Sequence, residues 1–156
     1  MCCLMGACVT NDDFDFYGVD GHKIILKNNI DAGDITYDEL VEFIQYDETD
    51  KIVYNKTTFM CGDYAERLHN NAEASGIRCG YVIVYFTHDD FIHACNAFIT
   101  LDRGIIFIDC SSGDTIVDLN PPNSYRKLYL PKPIDGIYNG EIYLPLGRIS
   151  SYKIYW

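Results

Sequence analysis

Positive charge is scarce in this chain. Its 156 residues hold 12 Lys and Arg against 23 Asp and Glu, a formal net charge of −11. Gripping a phosphate backbone takes clustered basic residues, so the balance argues against nucleic-acid binding as the main activity. An acidic surface also repels anionic membranes and favours cationic partners such as amines. Long apolar runs are missing too. The uninterrupted ones, such as Gly80 to Phe86, are strand-sized, against the ~18 residues that crossing a bilayer takes. No transmembrane segment is expected. None of the seven cysteines (Cys2, Cys3, Cys8, Cys61, Cys79, Cys95 and Cys110) stands in a C-x-x-C pair, which argues against a zinc knuckle or a thioredoxin-type redox site. The count is odd, so at least one thiol is free or paired outside the chain. The acidic groups Asp12-Asp13, Asp47 to Asp50 and Asp89-Asp90 lack the spaced oxygen ligands of an EF-hand loop and read as solvated turns and caps. Internal repeats and low-complexity linkers are also absent.

What remains is an ordinary globular composition, 48% hydrophobic and 22% charged. At this length a chain buries roughly 70% of its unfolded surface, enough for one self-supporting core. Residues 1–16 read as an N-terminal tail and 17–156 as a single domain. The first nine residues, MCCLMGACV, are apolar and small but lack the basic start of a signal peptide. Met5-Gly6-Ala7-Cys8 is similar to a lipoprotein cleavage box, with Met where a branched residue is usual. Anchoring at Cys8 is thus one reading, a frayed tail the other, and extracellular, envelope and cytoplasmic locations all stay open.

Asp15 to Lys27 reads as a hairpin around Asp20-Gly21, a dipeptide suited to a primed turn. Thr36-x-x-Glu39 is a capping box, and Leu40, Phe43 and Ile44 follow at helical spacing, predicting a helix over about 36–46. A second helix is expected over about 60–75. Cys61, Ala65, Leu68 and Ala72 form its apolar stripe, Asp63 and Glu66 suit the positive end of its dipole, and Gly76 is its C-terminal cap. Cys79–Phe86, Ile92–Ile99 and Ile105–Cys110 are rich in β-branched and aromatic residues and read as strands. The last forty residues carry all five prolines and six tyrosines and read as short strands and loops. Helices followed by antiparallel strands make an α+β fold.

Cys61 falls at the opening turn of the second helix, where unpaired N–H groups stabilise a thiolate. Such a thiolate becomes an acyl-transfer nucleophile when an imidazole lies within reach and a third group fixes the imidazole's tautomer. His93 heads one strand and Asp109 closes the next. If Thr100 to Gly104 connects them with Ile99 opposite Ile105, Asp109 stands opposite Cys95 on the face of His93, one diagonal step of roughly 7–8 Å away. An even-length connection would turn Asp109 to the other face.

These residues carry a resemblance. Cys61-Gly-Asp-Tyr-Ala, Ala74-Ser-Gly-Ile-Arg, His93-Ala-Cys-Asn-Ala-Phe and Ile106-Phe-Ile-Asp109 together resemble the core of the transglutaminase-like superfamily. The likeness spans about residues 54–112, and Cys95 departs from it, standing where a bulky residue is usual. It implies a papain-like α+β core and a Cys61–His93–Asp109 triad acting on peptide or isopeptide amides, in a cysteine protease, amidase or transferase with a peptide or protein substrate and no cofactor. The Cys61 N–H and a donor from Asn55 or Tyr54 are the expected oxyanion partners. Two other readings compete: a non-catalytic binding or structural module that keeps the fold, and a Cys/His metal site made by Cys61, His93 and Cys95. Elsewhere, Cys79, Cys95 and Cys110 read as small core residues. His69 reads as packing or surface, His22 and His88 as solvated, and Arg103 as structural.

Overall fold

A computed structural model describes residues 13–88, 90–119, 127–136 and 140–156. Among these residues two α-helices, α1 (Tyr37–Tyr46) and α2 (Cys61–Ala74), precede six strands: β1 (Gly80–Phe86), β2 (Ile92–Thr100), β3 (Gly104–Asp109), β4 (Thr115–Val117), β5 (Lys132–Pro133) and β6 (Ile149–Tyr155). These strands pair antiparallel with one another, in the order β5-β4-β3-β2-β1-β6. The fold is α+β, as the sequence predicts.

Helix α1 begins where its capping box dictates. The Glu39 carboxylate accepts the Thr36 N–H at 2.7 Å while Thr36 Oγ1 accepts the Glu39 N–H at 3.3 Å. Helix α2 lacks a Ser or Thr cap, and Asp63 Oδ2 instead reaches back to the Met60 N–H at 2.7 Å. It ends in a Schellman motif, with Gly76 at φ +78°, its N–H on the Glu73 carbonyl and the Ile77 N–H on the Ala72 carbonyl. One face of the sheet packs Phe98 and Ile108 against Leu68 and Ala72 of α2 and Leu40 and Ile44 of α1. The other face buries Val82, Val84, Cys95, Ala97, Phe107 and Tyr129. On the first face, fully burying each such aliphatic side chain contributes roughly 1.5–3 kcal/mol, which holds α2 on the sheet.

The strand register decides the site. Ile99 faces Ile105 and Thr100 faces Gly104, leaving Leu101, Asp102 and Arg103 as a three-residue connection with Gly104 at φ +71°. The odd length holds Asp109 on the face of His93.

The N-terminal hairpin is less regular than expected. Only Tyr17 and Lys23 pair as a bridge, and Gly21 alone has positive φ, +88°. The turn is therefore a three-residue connection over Val19–Gly21, in place of the two-residue primed turn. Upstream, Phe14 packs edge-on against Tyr81 and Tyr155. Beyond the hairpin the chain runs along α2, laced to it by side chains. Glu66 Oε1 accepts the Ile25 N–H, Asn70 bonds the Lys27 N–H and Ile25 carbonyl, and Glu73 Oε2 accepts the Asn29 N–H, all at 2.8–3.0 Å. Residues 66, 70 and 73 share one helix face, so this row substitutes for the backbone partner that a helix cannot offer.

Candidate functional site

Cys61 is the first residue of α2 and is half-buried, while Cys79, Cys95 and Cys110 are buried; all four are free thiols. Burial works to raise the Cys61 thiol pKa. The hydrogen bond and charge of His93, aided by the Ala94 N–H, overcome burial and hold it below the ordinary thiol value. Burial pushes the other three thiols well above that value, so they stay protonated.

His93, at the start of β2, is 7% exposed. Its Nε2 lies 2.8 Å from Asp109 Oδ2, which leaves Nδ1 for the thiol. Burial disfavours the imidazolium, yet the Asp109 carboxylate and the Cys61 sulfur together raise the His93 pKa. Asp109, wholly inside, would be raised by desolvation. The charge of His93 and the hydrogen bonds of His93, Ser111 and Tyr129 lower it instead. Ser111 donates to Oδ1 through N–H (2.9 Å) and hydroxyl (2.6 Å), and the Tyr129 hydroxyl donates to Oδ2 at 2.7 Å. A carboxylate so saturated is kept ionised and aimed. The arrangement sets a half-buried thiol beside a buried imidazole–carboxylate pair, able to carry an ion pair.

Sequence reasoning missed Ser111 and Tyr129. Ser111 follows Asp109 by two residues, the spacing of an Asx turn, which is a readable local signal. Tyr129 carries none: it arrives from a distant loop, buried, with its ring edge-on to His93 at 5.0 Å between centroids. Its hydroxyl partly offsets the burial that raises the Cys95 thiol pKa.

Asn96 holds the helix to the sheet, its Nδ2 donating to the Ala65 carbonyl of α2 at 2.9 Å and the Gly80 carbonyl at 3.4 Å. Of the two expected oxyanion donors, Tyr54 lies within electrostatic range of Cys61. Its phenol pKa is raised by burial and by the charges of Cys61 and Asp109, and its ring stacks on Tyr64. Asn55 is committed to a turn, its Oδ1 accepting the Thr57 N–H and hydroxyl. A cavity of about 200 Å³ opens on Cys61, walled by Phe16, Tyr17, Val19, Tyr81, Ile83 and Ile92.

Several other residues find plain places. His69 is fully buried, bonded to Asn28 Oδ1 at 2.9 Å, and burial lowers its pKa to about 4. Arg103 lies over the Tyr37 ring at 3.9 Å, and Asp47 caps the turn at Thr49. His88 is exposed, while Asp89 and Cys8 lie outside the described residues. His22 is not merely solvated: its Nε2 sits 2.8 Å from Glu66 Oε2, its Nδ1 is paired with Asp20, and Asp63 Oδ1 is 3.8 Å away. Glu66 first, then Asp20, raise its pKa to about 9. Among the described residues, the one metal-compatible grouping of His, Cys and carboxylate side chains is Asp20, His22 and Asp63, apart from Cys61, His93 and Cys95.

Comparison with protein-family models, curated proteins and solved structures returns no match. No helix among the described residues is long and apolar enough to cross a membrane.

Proposed function

We propose that the protein is a cysteine-dependent acyl-transfer enzyme with a transglutaminase-like core, cleaving or exchanging peptide or isopeptide amide bonds through a thioester on Cys61. The observation that carries this reading is the pairing of His93 Nε2 with buried Asp109 Oδ2 at 2.8 Å beside the half-buried Cys61 that opens α2, whose thiol pKa His93 lowers against burial. In the reaction the Cys61 sulfur attacks the amide carbon and the carbonyl π pair moves to oxygen. The Cys61 N–H, in the first turn of α2 where no intrahelical acceptor exists, donates to that oxyanion. The His93 imidazolium then protonates the amide nitrogen, the C–N bond breaks and the amine leaves, giving thioester and neutral imidazole. Water or a second amine next gives its proton to His93 and attacks the thioester, releasing product and restoring the ion pair. Asp109 remains ionised throughout and stabilises the imidazolium.

Iodoacetamide labelling across pH, with the modified sites assigned by mass spectrometry, tests the reading. Cys61 is expected to react faster than every other thiol, with an apparent pKa below the ~8.5 of a free cysteine. His93→Ala should slow it near neutral pH. Labelling no faster than at buried Cys79 would overturn the enzyme proposal. Loss of amine release from peptide amides in Cys61→Ala then distinguishes turnover from a reactive but idle thiol.

A further inference from the structure

The hairpin turn brings a second polar cluster to α2, separate from the His93–Asp109 pair. One potential ligand atom from each of Asp20, His22 and Asp63 lies within 4.8 Å of the others, with His22 Nδ1 paired to Asp20 Oδ1 and 3.8 Å from Asp63 Oδ1. Asp63 is 3% exposed, and its Oδ1 is buried without a hydrogen-bond partner, a costly state for a carboxylate oxygen. The space between the donors is kept open by the residue at 18: a Cβ there would stand 2.4 Å from Asp63 Oδ1 and 2.6 Å from His22 Nδ1. Behind the ring, Glu66 Oε2 holds Nε2 at 2.8 Å. Ligating histidines are typically oriented this way, the far N–H given to a carboxylate and the near lone pair turned inward. Three carboxylates thus surround one imidazole, an excess of negative charge, and Arg67, which lines the same cavity, makes no ion pair with them.

We propose that Asp20, His22 and Asp63 bind a divalent first-row transition-metal ion, one imidazole nitrogen and two carboxylate oxygens being a donor set that suits manganese or zinc. Binding replaces any proton on His22 Nδ1 with the ion, the proton leaving to solvent, and Glu66 keeps the Nε2 proton. Asp20, on the exposed tip, swings to open its close contact with the ring. The ion would fasten the turn to the first turn of α2, two residues after Cys61, and so fix the wall that Tyr17 and Val19 give the Cys61 cavity.

Mn²⁺ is the probe, because carboxylates and imidazole hold it while thiolates compete poorly. Free Mn²⁺ is counted by electron paramagnetic resonance as the chelator-stripped full chain is titrated. One ion per chain is expected, weakened at least roughly tenfold in both Asp20→Asn and His22→Ala, and unchanged in His93→Ala. The last variant separates this site from the proposed acyl-transfer centre, so either idea can fail alone. No saturable binding up to about 1 mM, or binding that both substitutions leave intact, would overturn the assignment and leave His22 as a cation clamped by carboxylates.

Discussion

Asp109 is the residue on which the electrostatics of the proposed centre turn. It is buried, yet its carboxylate accepts from His93, Ser111 and Tyr129, and His93 cannot hold a proton in such a dry place without that charge. Asp109→Asn keeps the shape and removes the charge. Labelling of Cys61 at pH 7 is expected to fall roughly tenfold or more, the equivalent of about one pKa unit lost from the thiolate–imidazolium pair. A rate within twofold of the parent would show that the carboxylate only fills space. In the sequence these three residues are singled out by their positions, Cys61 at a helix start and His93 and Asp109 at strand ends, together with the family resemblance, and the fold brings His93 to Asp109. Tyr129 was not legible, since its role depends on where a long connection returns, and no local pattern encodes that.

At the scale of elements, α2 works as a two-sided beam. Its apolar stripe lies on the sheet, and its polar row of Glu66, Asn70 and Glu73 binds the extended chain upstream. Glu73 is 3% exposed and takes the Asn29 N–H and the Cys79 N–H at 2.8 Å each, joining three segments. Glu73→Ala would strand the buried Cys79 N–H while the exposed Asn29 N–H turns to water, and at about 1–3 kcal/mol for a buried unpaired group stability should drop by roughly 1–3 kcal/mol. Urea unfolding reads this directly; a loss under about 1 kcal/mol would mean that water replaces the carboxylate. The helix limits were readable from capping and periodicity, whereas the β2–β3 register was legible only as a condition, because the sequence does not fix whether the connection is odd or even. The upstream strap was not legible. Its anchors are acidic and amide side chains on what looks like a solvated helix face, and periodicity registers only apolar stripes.

For the whole molecule, buried histidine sets an acid limit. His69 is fully enclosed, and burial lowers its pKa from 6.5 to about 4. A histidine depressed in the folded state favours folding fully above its unfolded pKa. Stability should therefore decline as pH falls from about 6.5 to about 4, by an amount on the order of 3 kcal/mol. Chemical denaturation across that range measures the slope, and His69→Gln should flatten it. An unchanged slope in that variant would assign acid sensitivity to other groups.

The partial exposure of Cys61 has a cost under oxidising conditions. Of the four described thiols it alone combines access with a lowered pKa, so peroxide would convert it first to the sulfenic acid. Cys79, Cys95 and Cys110 are enclosed and protonated, poor nucleophiles for resolving that adduct into a disulfide. Recovery would then fall to a thiol outside this set, and without one the sulfur would proceed irreversibly to the sulfinic state.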